Sequence, residues 1–290
     1  MQDQLDALTQ TLTRCVEKKD AGTSSIAYSP NGSYAAGSMA SDTNSLNISS
    51  EQAALILSSL NTDYGVHTVV TLAPGDTVSV SPVILKIMVD HSIRTGVPLA
   101  YKIINSNGTV LFETENVSKL LPFYTPERII ISRFATATPG QNFEHKTSVL
   151  APLELRSFAI KGLERNFPLY DSASGYGTAL MTKSGKVYFG GQYSSPDKRL
   201  SLHSEVNTIM SAIMNGDSDI SHIGIVSSKY TDTPCDMCGI CRQFISEISS
   251  RFELSPTLYC FAKETPEYRE YAIDQYLPSA WTSKKWKPQL

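Results

Sequence analysis

Residues 78–88 read VSVSPVILKIM and residues 233–244 read TPCDMCGICRQF, and the two stretches are one helix start written twice. In the first, Ser81-Pro82 precedes an apolar spacing of Val83, Ile84, Ile87 and Met88. Serine is favoured at a helix N-cap, where its oxygen accepts from an orphan N–H, and proline at the first helical position, where no N–H is needed. Setting Ser81 on Cys238, 157 residues later, places Gly239 at the first helical position and Cys241 one turn on. Further matches keep nearly the same distance. Gly37 falls on Gly190, Glu51 on Glu205, Tyr101 on Tyr259 and Leu121-Pro122 on Leu277-Pro278, at offsets from 153 to 158. One such match means nothing. Several in chain order, drifting by a few residues, indicate a duplicated domain.

Each copy follows the same plan. An opening helix leads to two short strands around a turn, Asn31-Gly32 or Ser184-Gly185. An apolar helix follows (51–60; 205–214), then a β-branched strand (66–72; 220–226), a second helix (82–91; 239–251) and another strand (99–104; 257–261). A last helix runs into Leu-Pro. Strands alternating with helices indicate an α/β fold with a mixed or parallel sheet. Residues 135–148, ATATPGQNFEHKTS, lack periodicity and contain Pro-Gly, so they read as a linker between a first domain, 1–134, and a second, 149–290.

The 290 residues suit two domains, and 41% hydrophobic content is ample for their cores. Net charge is −3, and the basic clusters at 183–186, 198–199 and 284–287 are short, so no nucleic-acid stripe is present and a polynucleotide substrate is disfavoured. Leu5, Leu8, Leu12 and Val16 recur at helical spacing among charges, which predicts an amphipathic helix and not a signal peptide. No apolar run approaches the ~18 residues of a membrane span. The expectation is a cytoplasmic protein. Of five cysteines, three lie within seven residues, a pattern of metal binding more than of disulfides. Cys15 and Cys260 read as small buried hydrophobes.

The chemistry gathers in the second copy. His203 and Glu205 stand two apart at one helix start, and the cysteines stand at the next, about thirty residues on. One imidazole and two thiolates suit zinc and leave a fourth position for water, which becomes acidic near neutral pH. Glu205, off the metal, can carry protons as general acid/base. Cys235/Cys238 and Cys238/Cys241 both have the C-x-x-C spacing. The comparison with Ser81-Pro82 favours Cys238 and Cys241, whose sulfurs then sit at a helix N-terminus that stabilises thiolate charge. Cys235 falls three residues before the helix, as a loop thiol beside the metal or an alternative ligand. At the corresponding places the first copy has Ser49, Ser81 and Ile84, so it should hold no metal, although Glu51 remains.

His203-Ser204-Glu205 followed by Cys238-Gly239-Ile240-Cys241-Arg242-Gln243-Phe244 resembles the cytidine deaminases, whose His- or Cys-x-Glu motif precedes CGxCRQ. The resemblance extends over residues 153–281. It implies duplicated α/β/α domains, each with a mostly five-stranded mixed sheet flanked by helices. It implies one Zn2+ per chain and hydrolysis of cytidine or 2'-deoxycytidine to the uridine nucleoside with release of ammonia, as in pyrimidine salvage. It is similar to the two-domain form of the family, which implies a homodimer, but that form has its active copy first. The resemblance also implies that Arg242 contacts a zinc-bound sulfur, that Ser204 lies at the substrate, and that Trp281 lines the pocket. Two features depart from the family: the aromatic of its Tyr-Ser-x-Phe motif is missing, since Asp171-Ser172-Ala173-Ser174-Gly175 stands there, and its ribose contacts are changed. Its ribose-contacting Asn-x-Glu falls on Gln192 and Ser194, eleven residues before His203. A site built to bond hydroxyls discriminates strongly, so this change should alter sugar recognition. A modified nucleoside, a nucleotide or a nucleoside antibiotic is the alternative substrate. A non-catalytic binding protein stabilised by zinc is the alternative class.

Overall fold

The computed structural model describes residues 2–15, 22–41, 43, 46–121, 124, 131–171 and 173–281. Val16, Pro122 and the basic cluster at 284–287 lie outside them. The first copy runs α1 (Gln2–Leu12), β1 (Ser24–Ser29), β2 (Gly32–Gly37), α2 (Ser50–Leu60), β3 (Thr68–Leu72), α3 (Pro82–Thr95), β4 (Ala100–Ile104) and β5 (Val110–Thr114). After β6 (Phe143–His145) the second runs α4 (Pro152–Leu163), β7 (Tyr176–Thr182), β8 (Lys186–Gly191), α5 (Ser204–Met214), β9 (Ile220–Ser227), α6 (Gly239–Arg251), β10 (Thr257–Phe261), β11 (Tyr268–Ala272) and α7 (Ile273–Tyr276).

The duplication is visible in the sheets. One has the order β2-β1-β3-β4-β5, and the other contains β8-β7-β9-β10-β11. In both, the successive pairings are antiparallel, antiparallel, parallel and antiparallel. α2 and α5 are buried along their whole lengths, and one hydrophobic cluster draws on both copies around them.

Register corrects two of the sequence matches. Ser25 opposes Ala36 and Thr71, and its hydroxyl meets Ser50 of α2. Thr178 opposes Gly190 and Ile225, and its hydroxyl meets Ser204 of α5. Ala36, not Gly37, is therefore the counterpart of Gly190. Ile103 opposes Thr71 as Cys260 opposes Ile225, so the counterpart of Tyr101 is Leu258, not Tyr259. Neighbouring strand residues face opposite sides, and a slip of one exchanges the faces. Tyr101 and Leu258 lie in the central cluster, whereas Tyr259 packs with Leu155 and Phe158 of α4.

Two elements differ from the expected plan. Within the stretch expected to link the copies, β6 pairs with β8 and gives the second sheet a sixth strand. Three residues are too few to show a period. The last helix is one four-residue turn, α7, and the edge strand β11 occupies the chain before it. No helix among the described residues is long and apolar enough to cross a membrane.

Candidate metal centre

His203 is the N-cap of α5 and Cys238 the N-cap of α6, with Cys241 in the first turn of α6. The His203 side chain makes no bond to its own helix. In the first copy, Ser49 holds the place of His203 and does cap, accepting from Gln52 N–H at 3.2 Å. The imidazole is turned instead toward sulfur. His203 Nδ1 stands 3.3 Å from Cys238 Sγ and 3.4 Å from Cys241 Sγ. The three donor atoms lie within 4.8 Å of one another, and among the described residues no other such group of His, Cys, Asp and Glu occurs. One nitrogen and two sulfurs at this spacing fit zinc.

The electrostatics match. The Cys238 thiol is pulled down to about 3, first by its hydrogen bond with Cys241 and then by His203, against burial. Cys238 in turn raises His203, and Cys241 is pushed up by Cys238 and by burial. A thiol drawn down beside an imidazole drawn up is an arrangement in which a divalent metal can displace the protons shared by the three groups. Glu205, 2% exposed, has its carboxyl raised chiefly by burial. Ser204 Oγ donates to Glu205 Oε2 at 3.2 Å and itself meets Thr178 Oγ1 at 2.8 Å.

Glu51 of the first copy is differently placed. Thr71 Oγ1 and the Tyr101 hydroxyl donate to its Oε1 at 3.0 and 2.8 Å. The counterparts of these two residues in the second copy are Ile225 and Leu258, neither of which can donate. Sequence comparison missed the contrast because the match of Tyr101 to Tyr259 hid it. Testing that match against the inward period of the strands would have revealed it.

The remaining expected residues fall as follows. Cys235 is buried and outside the trio. Its thiol donates to the Ile225 carbonyl at 3.5 Å, and burial raises it far above the usual thiol range. Arg242 does not bond sulfur. Its Nε donates to the Met237 carbonyl at 2.8 Å, and its guanidinium lies 3.7 Å from the centre of the Tyr276 ring. Met237 N–H donates to the Tyr276 hydroxyl at 2.9 Å. Arg242 and Tyr276 therefore hold both backbone groups of the residue before Cys238. The reason lies in direction: the side chain of Arg242 runs back along the helix toward its start. Tyr276, thirty-eight residues after Cys238 in the chain, offered no signal beyond its apolar surroundings. Gln192 and Ser194 follow β8: the Gln192 N–H donates to Asn166 Oδ1 at 2.8 Å, the Gln192 carbonyl accepts from Phe167 N–H, and Ser194 N–H donates to the Phe167 carbonyl. Their side chains make no hydrogen bond to the trio. The motif's Ser172 lies outside the described residues. Trp281 is exposed, and its backbone N–H donates to Gln243 of α6 at 3.0 Å.

Sequence comparison finds cytidine deaminases among the relatives. A cytidine deaminase of Vibrio vulnificus is 33% identical over 107 residues, 36% of this chain and 31% of that protein. One from Klebsiella pneumoniae is 30% identical over 103 residues, 35% of this chain and 30% of its own. The match thus spans about a third of the length of these relatives. A solved cytidine deaminase from Burkholderia pseudomallei, 23% identical, aligns with 46% of this chain and 100% of its own at a TM-score of 0.41. No family model matches the chain. Over about a third of its length the chain is thus similar in sequence to cytidine deaminases, and its fold brings His-x-Glu and Cys-x-x-Cys together at two helix starts.

Proposed function

We propose that the second copy hydrolyses cytidine or 2'-deoxycytidine to the uridine nucleoside and ammonia, with one zinc per chain held by His203, Cys238 and Cys241. The observation that carries this reading is Glu205: a buried carboxyl beside the donor trio, with its proton affinity raised and, among the described residues, no strand hydroxyl bonded to it. A structural metal site has no use for such a group. Zinc bound there supplies Lewis acidity and an acidic water. Glu205 takes the proton released as water adds to C4 of the pyrimidine. It passes that proton to the ring nitrogen and then moves the proton of the new C4 hydroxyl to the amine, so the C4–N bond breaks, the C4 carbonyl forms and ammonia leaves. Ser204 fixes one carboxylate oxygen and so aims the other. Arg242 and Tyr276 hold the chain at Met237, which sets where Cys238 stands. The first copy binds no metal, since Ser49, Ser81 and Ile84 offer no comparable donors and Glu51 is already engaged.

Gln192 and Ser194, in place of Asn and Glu, favour a second reading: the same chemistry on another aminopyrimidine. The proposed assembly is a homodimer, by resemblance to the two-domain form of the family, in the reducing cytoplasm, which suits a cluster of three cysteines within seven residues. Ammonia release should be measured over cytidine, deoxycytidine, their phosphates and modified cytosines. Release from the plain nucleosides supports the first reading. Release from modified cytosines alone supports the second, and none from any substrate overturns both.

A further inference from the structure

Lys86, Asp90 and Arg94 recur every four residues on α3, so they share one face, with His91 beside them. This face belongs to the metal-free copy and reaches across to the second. Lys86 Nζ pairs with Asp197 at 3.1 Å. Ser195 Oγ donates to Asp90 Oδ2 at 3.1 Å. His91 Nδ1 and the Tyr193 hydroxyl are 3.2 Å apart, and the Arg94 guanidinium lies 4.0 Å from the centre of the Phe167 ring. Asp90, His91 and Arg94 are all buried. Among the described residues, two Arg94 nitrogens and His91 Nε2 have no hydrogen-bond partner, so this face is a costly way merely to fill space.

The gripped segment runs into the metal centre. Tyr193 sits between Gln192 and Ser194 and exchanges two backbone bonds with Leu202, each 2.9 Å. The next residue is His203. A twin contact joins the copies in the other direction: Ser41 Oγ donates to Glu247 Oε2 of α6 at 2.9 Å. Ser41 and Ser195 are 154 residues apart, and Asp90 and Glu247 are 157 apart, the offsets of the duplication. The twin grips the first copy, whose following helix start carries Ser49 instead of a ligand.

We propose that the α3 face of the metal-free copy is a positioning clamp: it holds residues 192–202 of the second copy and so sets how tightly the nucleoside binds. The second clause rests on the deaminase reading. The twin contact supplies the control. Ser195→Ala and Lys86→Met should each raise KM by about three- to tenfold, with kcat and zinc content little changed. Each should also speed amide hydrogen exchange across 193–202. Ser41→Ala removes an equivalent bond and should leave KM and that exchange as they are. Equal effects of Ser41→Ala and Ser195→Ala on KM would reduce the contact to packing and overturn the proposal. So would unchanged exchange in Ser195→Ala, a result that needs no turnover. Absence of wild-type turnover would sink the deaminase reading instead, and exchange alone would then decide the clamp.

Discussion

The Tyr101 hydroxyl donates to the Glu51 carboxylate at 2.8 Å, while the position equivalent to Tyr101 beside Glu205 is Leu258. The same glutamate is therefore engaged in one copy and available in the other. Glu205→Gln should keep zinc and lower turnover by about 10²- to 10⁴-fold, the usual contribution of a general acid/base. Glu51→Gln should leave turnover unchanged. Metal analysis and steady-state rates on both variants check this, and full activity in Glu205→Gln would refute the assigned role.

Cys235 has the spacing of a ligand but not the position. Its buried thiol donates to Ile225 and is held protonated. Cys235→Ser should bind zinc as the wild type does, whereas Cys238→Ser and Cys241→Ser should lose it. Zinc loss in Cys235→Ser would reassign the ligand set.

Arg242 acts on the backbone before Cys238. Groups that orient metal ligands typically contribute 10- to 100-fold in affinity. Arg242→Ala should weaken zinc by about tenfold in a chelator competition, and Tyr276→Phe, which loses the bond from Met237 N–H, should weaken it less. Unchanged affinity in both would show that the clasp does not place the ligand.

His91 is fully buried, and burial lowers its proton affinity from 6.5 to about 3. Between those values the unfolded chain binds a proton there that the folded chain does not. Its contribution to stability is therefore complete above about pH 6.5 and is lost as pH falls toward 3, at up to ~1.4 kcal/mol per pH unit. Denaturation from pH 7 to 4.5 should show wild type losing stability faster than His91→Phe. Parallel profiles would contradict the buried neutral state.

Much of this was legible in the sequence because it is periodic or local. The repeated strand–helix order and the helix starts at Ser81 and Cys238 follow from spacing, and the comparison of the copies picks out His203, Cys238 and Cys241, which the fold brings together. What escaped depends on register and on distant parts of the chain. Tyr101 matched Tyr259 by letter, but only the pairing of β9 with β10 shows that they face opposite layers. β6 is three residues long, and β11 has one half-buried residue between exposed ones, so neither carries a pattern. The grip of α3 on the Tyr193 segment joins residues about a hundred apart and has no sequence signature.

The asymmetry between the copies is tested most directly by the zinc content of the purified chain. One zinc per chain, abolished by Cys241→Ser, is the expected result. Two zincs per chain, or none after growth with ample metal, would contradict it.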